Sequence, residues 1–114
     1  LLIIKLDKKL KSYIYITIRL IYFIYNEKKL KNRSIFIKKL IYRSKYTGTR
    51  ETDILLGNFA VSHLHNLSNE NLISYQKLLE SGDPRIWRLS IDVEKTNSDK
   101  ENYIVNLIRE FKGF

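Results

Sequence analysis

Cysteine and methionine are absent from this 114-residue chain, proline occurs once, and histidine occurs twice. Without cysteine there is no disulfide, thiolate zinc site or cysteine nucleophile. The composition is compatible with a reducing compartment. His63 and His65 have no third ligand at matching spacing, so no metal site is expected. Two apart on a helix, they point to different faces. His63 is expected to be partly buried in packing, and His65 to face solvent. Glycine-rich phosphate loops and the G-x-S-x-G nucleophile elbow are missing as well. No catalytic residue is assigned. A cleft with positioned acid–base groups is not expected from about 80 residues of this content.

Long hydrophobic runs are also missing. The longest, Tyr13–Tyr25, covers thirteen residues and contains Arg19. A spanning helix needs about 20 apolar residues, and a central arginine is costly there, so stable membrane insertion is not expected. "NEKKLKNRS" follows without the small-residue site at which a secretory signal is cleaved.

What is present is charge of one sign, unevenly placed. The net charge is +9, and residues 1–33 hold nine Lys/Arg against two Asp/Glu. Residues 34–114 hold twelve against ten, an ordinary mixed surface that gives no reason to expect nucleic acid as a partner. The chain therefore divides into a basic extension, 1–33, and a domain, 34–114. Three readings of the extension stand. It is a basic segment lying on a membrane or partner surface. It is an organelle presequence, although that class is rich in Arg and Ser. Or it is not a functional module: A/T-rich coding yields Ile, Lys, Asn, Tyr, Phe and Leu by default, and position 1 is not methionine. The third is the reading favoured here. Exposed β-branched and aromatic runs are also an aggregation hazard.

From Ser34 onward helical spacing recurs. Phe36, Ile37, Leu40 and Ile41 form one stripe, which Gly48 is expected to stop. Thr49 or Gly48 then caps a second helix, with Glu51 and Asp53 in its first turn. Leu56, Phe59, Ala60, His63, Leu64 and Leu67 make its stripe. Ser68 caps a third helix bearing Leu72, Tyr75, Leu78 and Leu79. In "SGDP", Gly82 stops that helix, Asp83 caps the next and Pro84 opens it. A short fourth helix carries Ile86, Trp87 and Leu89. "DVEKTN" reads as a loop. Ser98 and Glu101 have the capping-box form. Tyr103, Ile104, Leu107, Ile108 and Phe111 form the last stripe, followed by Gly113. The fold class is all-α: a small bundle of five helices of about 8–18 residues. Trp87 and the tyrosines read as core or rim residues.

At "RSKYTGTRETDILLGNFA" (Arg43–Ala60) the chain resembles the succinate dehydrogenase assembly factor family, which has bacterial members and mitochondrial relatives. That family carries an Arg-Gly-x-x-Glu signature between helices 1 and 2. Gly48 and Glu51 match it, and Asp53, Leu55, Leu56 and Phe59 match its continuation. Leu72, Tyr75, Leu78, Leu79, Asp83 and Trp87 fit the pattern downstream, so the resemblance covers about residues 35–112. Thr47 stands where the family has arginine. The planar, bidentate donor of that arginine is therefore missing. Arg43, Lys45 and Arg50 lie near in sequence, but none is at that position.

The resemblance implies a five-helix chaperone rather than an enzyme. It implies binding to the flavoprotein subunit of succinate dehydrogenase and promotion of its covalent FAD attachment, by aligning flavin and partner histidine. FAD then belongs to the partner, and none is bound stably by this chain. Partner-binding positions carried over or adjacent are Gly48, Glu51, Thr47, Arg43, Arg50 and Asp53. A monomer is expected when free. The alternatives are a basic nucleic-acid or membrane-surface binder acting through residues 1–33, and an antitoxin-like regulator, a label some family members have carried. Composition and the missing presequence signature point to bacterial cytoplasm, with the mitochondrial matrix as the alternative.

Overall fold

The computed structural model describes residues 8–112. Among these there are five α-helices and no strand: α1 (Lys8–Lys45), α2 (Arg50–His63), α3 (Asn69–Glu80), α4 (Asp83–Ser90) and α5 (Asp99–Lys112). A short 3-10 turn, Leu64–Asn66, follows α2. The chain divides into two units, Leu1–Ser34 and Ile35–Phe114. Gly113, the expected stop of α5, lies outside the described residues, as do residues 1–7 of the basic extension.

The expectation of helices no longer than about 18 residues fails at α1, which runs for 38. The physical reason is the lack of a breaker. No glycine or proline occurs before Gly48, and the modest propensity penalty of Ile, Tyr and Thr does not stop a helix. In the first unit the described residues are one helix, with no buried side chain from Lys8 to Ser34. Thr17 bonds its own backbone there, with Oγ1 donating to the Tyr13 carbonyl at 2.8 Å.

The second unit has a core. Ile37 and Leu40 enter it from α1. Leu55, Leu56, Phe59 and Ala60 come from α2, with Leu64 and Leu67 after it. Leu72, Tyr75, Leu78 and Leu79 come from α3, Ile86 and Leu89 from α4, and Ile104, Val105 and Ile108 from α5. Tyr75 and Phe59 are its largest fully buried side chains, with ring centres 5.8 Å apart. Ser44 Oγ donates to the Leu40 carbonyl at 2.7 Å. Its one proton is thereby engaged, so the Tyr75 hydroxyl donates to Ser44 across 2.6 Å. Burial pushes the Tyr75 phenol well above its ordinary range, so it remains a donor at neutral pH.

Local details depart from the sequence reading at several points. The helix ends at Lys45, where the Tyr46 N–H turns back to the Arg43 carbonyl at 3.2 Å, so Gly48 is not its stop. Asp83 does not cap α4 but is its first residue. Gly82, at φ +91°, precedes it as the cap, and Pro84 falls second. Ser68 caps α3 as expected, accepting from Asn71 N–H at 3.1 Å. The capping box is displaced by one residue. Ser98 accepts from Glu101 N–H at 3.2 Å, but the Glu101 carboxylate takes the N–H of Asn97 at 3.0 Å. On α5 the buried stripe is Ile104, Val105 and Ile108, with Leu107 partly buried, while Tyr103 and Phe111 are exposed. The stripe is shifted because Val105 turns inward.

Ion pairs fasten α4 to the segment after it. Arg85 forms a two-pronged pair with Glu101, one arm at 3.1 Å, and its Nε meets Glu94 at 2.7 Å. This holds the Glu101 carboxyl below its ordinary range, chiefly through the Arg85 hydrogen bonds. Arg109 donates twice to the Leu89 carbonyl, at 3.0 and 2.7 Å, satisfying an end carbonyl of α4.

Candidate partner-binding site

The turn between α1 and α2 is built around Asp53. Its Oδ1 accepts from the Thr47 hydroxyl at 2.6 Å, from the Thr47 N–H, and from the Gly48 N–H at 3.3 Å. The carboxylate thus closes the turn from the first turn of the following helix. These donors lower its proton affinity, the Thr47 hydroxyl most of all. Glu51, two residues earlier, is exposed, so the two carboxylates are separated as the helical spacing requires.

Thr47 therefore has an internal role. Both its donors are directed at Asp53, and the side chain is half-buried rather than presented outward. Gly48 has φ +147°, a conformation L side chains rarely adopt. A Cβ there would lie 3.4 Å from Asp83 Cβ and 3.5 Å from its Oδ2. The turn thus packs directly against the start of α4. Thr49 is the cap residue of α2, yet its hydroxyl does not bond the helix backbone. It lies 3.1 Å from the Thr52 hydroxyl and 3.2 Å from Asp83 Oδ1. Asp83 and Thr52 are buried.

These contacts bring two distant stretches into one place. An open groove is lined by Thr49, Glu51, Asp83, Pro84, Trp87 and Arg88. Glu51 and Asp83 supply carboxylates, Trp87 and Pro84 an apolar wall. Lys112 Nζ sits 3.8 Å over the Trp87 ring, a cation–π contact from α5. Burial lowers the proton affinity of that ammonium. Arg88 pairs with Glu94 at 2.9 Å. Arg43 and Arg50 are exposed on either side of the turn.

Of the positions expected to meet a partner, Glu51 lines this groove, and Gly48, Arg43 and Arg50 are exposed outside its lining. Asp53 and Thr47 hold the turn from within. Thr49, Asp83, Pro84 and Arg88 were not assigned to a site by sequence reasoning. Glycine at position 48 is accounted for by its φ alone, so no local signal in the sequence pairs it with Asp83.

His63 is half-buried, and its ring stacks on Phe59 at 4.8 Å and meets the edge of Phe111 at 5.3 Å. His65 is exposed. Both fall as the helical spacing predicts. No cluster of three or more His, Cys, Asp or Glu able to hold a metal occurs among the described residues. Nor is any helix there long and apolar enough to cross a membrane.

The site belongs to a small all-α domain whose α1–α2 turn packs against the start of α4 beside an open groove. The model of the family described as flavinator of succinate dehydrogenase matches residues 38–112, and the chain belongs to that family. It is 35% identical over 72 residues to succinate dehydrogenase assembly factor 2, mitochondrial, of Dictyostelium discoideum, covering 63% of this chain and 51% of that one. It is 33% identical over 96 residues to the protein of the same name in Candida glabrata, covering 68% and 63%. The corresponding figures for assembly factor 2-A, mitochondrial, of Drosophila yakuba are 33% over 75 residues, 64% and 46%. The chain spans about half the length of most of the curated relatives it matches. No solved structure matches it.

Proposed function

We propose that this chain is an assembly factor that binds the flavoprotein subunit of succinate dehydrogenase and promotes covalent attachment of FAD to it. The observation that carries the reading is the junction of Gly48 and Asp83. The two halves of the family's pattern, 35 residues apart, form one continuous surface. Gly48 leaves its backbone open to close approach, and Glu51 presents a carboxylate beside it. The contribution is positional. Stabilising one orientation of flavin and acceptor histidine lowers the entropic part of the barrier, an effect worth several kcal/mol in well-oriented systems. The chemistry and the flavin remain with the partner, and the chain itself acts as a chaperone rather than an enzyme.

Support for the mitochondrial matrix comes from the relatives, whose names include the word mitochondrial. None of those three supports the bacterial cytoplasm expected from composition. The test is to mix the chain with apo flavoprotein subunit and FAD, then to read flavin fluorescence on the denatured subunit. Covalent flavin should rise above the level of the subunit alone, and an unchanged level would sink the proposal.

A further inference from the structure

We propose that the groove beside the α1–α2 turn receives the arginine side chain of a partner's docking segment. That this partner is the flavoprotein subunit rests on the function proposed above; the slot itself does not. Charge carries the assignment. Elsewhere in the second unit Glu70, Asp92, Glu94 and Glu101 each hold a lysine or an arginine. Glu51 and Asp83 hold none among the described residues, yet both line this one groove. Glu51 is exposed and makes no hydrogen bond there. Asp83 is nine-tenths buried, and its one side-chain hydrogen bond among the described residues is with the Thr49 hydroxyl, at 3.2 Å. A carboxylate at that depth favours a cationic partner. Both acids also sit in the first turn of a helix, where the dipole favours them. That accounts for their charge but not for their convergence on one groove.

The other wall of the groove sets the shape of that cation. Pro84 and Trp87 supply apolar surface. The Trp87 ring already draws one cation, with Lys112 Nζ 3.8 Å over it. A guanidinium is planar, so it lies flat on an indole while its fork reaches carboxylates. An ammonium is a point charge and uses the wall less. Arg88, the basic residue of the lining, is engaged by Glu94 at 2.9 Å, so the groove stays acidic. Its volume of about 570 Å³ holds a long side chain and a stretch of backbone beside it. A purely apolar segment would seal Asp83 without a counter-charge. A phosphate or an acidic segment would meet two carboxylates.

The test is a titration of the full chain with the blocked tripeptide acetyl-Gly-Arg-Gly-amide, followed by NMR at the indole N–H of Trp87, the sole tryptophan. Blocked tripeptides with citrulline or lysine in place of arginine are the controls. The arginine peptide should shift the signal saturably, with a Kd of about 1–10 mM. Citrulline should leave it unmoved, and lysine should bind at least about threefold more weakly. Glu51→Gln should weaken the arginine peptide about threefold and the flavoprotein subunit about tenfold. Glu51 is exposed, so this variant keeps the fold, which its spectrum checks. A Trp87 signal unmoved up to about 50 mM peptide, an equal response to citrulline, or indifference of either ligand to Glu51→Gln would overturn the proposal. An arginine-selective shift with no gain in covalent flavin would leave the slot standing and sink the flavinylation role. A gain in flavin without that shift would do the reverse.

Discussion

The two units of this chain use apolar residues in opposite ways. From Lys8 to Ser34 no side chain is buried, although the stretch is rich in Ile, Leu, Tyr and Phe. From Ile35 onward the same residue types make a contiguous core with Tyr75 and Phe59 at its centre. Apolar content does not separate the two; partners do. A lone helix has nothing to bury a side chain against, whereas five helical segments supply faces to one another. Hydrophobic content alone is thus a poor guide to where stability lies.

The largest expected contrast is in core truncation. Phe59→Ala or Tyr75→Ala should lower unfolding stability by about 3–5 kcal/mol. Phe23→Ala in the first unit should stay within about 0.5 kcal/mol. Chemical denaturation of the three variants checks this, and a comparable loss at Phe23 would mean that the first helix is part of the cooperative unit.

Next comes the turn. Gly48→Val places a branched side chain at φ +147° and against Asp83. The strain should cost about 1–3 kcal/mol, read by the thermal midpoint, and should loosen the junction with α4. Glu101→Gln removes the charged partner of Arg85 and should cost about 1–2 kcal/mol. The pH dependence follows with a definite sign. Glu101 and Asp53 both have carboxyls lowered from their ordinary values in the fold. Their contribution is complete at neutral pH and is lost as acid protonates them, below about pH 4. Acid titration of the unfolding midpoint should flatten in the Glu101→Gln variant.

The smallest structural effect belongs to Thr47→Arg. Asp53 keeps its two backbone donors, so stability should change by less than about 1 kcal/mol. Flavinylation of the partner should nevertheless increase, because the guanidinium restores a bidentate donor at the turn. An unchanged rate would mean that the position has been taken over by the Asp53 clamp.

Much of this was legible from the residues. The stripes of α2, α3 and α4, the Ser68 cap and the opposite settings of His63 and His65 followed from helical spacing. So did the burial of Tyr75, though not its hydrogen bond to Ser44, which joins residues 31 positions apart. What spacing could not give was long-range. The Gly48–Asp83 contact, the Arg85–Glu101 pair and the Arg109 bonds to Leu89 all depend on how helices cross. The length of α1 escapes the reading for a different reason: the composition changes at residue 34, but a helix ends at a breaker, not at a change of charge, so α1 runs on through that point. On α5, counting Tyr103 as buried followed from treating every apolar residue near the stripe as part of it, whereas Val105 takes the inward place.

The central claim is that function resides in the second unit, at the turn joined to α4. Its most direct test is the yield of covalent flavin on the succinate dehydrogenase flavoprotein subunit with three forms of the full chain: unaltered, Glu51→Gln, and Ile21→Ser with Ile24→Ser. The unaltered chain and the Ile21/Ile24 variant should raise the yield equally, and Glu51→Gln should raise it less. A yield that depends on Ile21 and Ile24 but not on Glu51 would contradict the account.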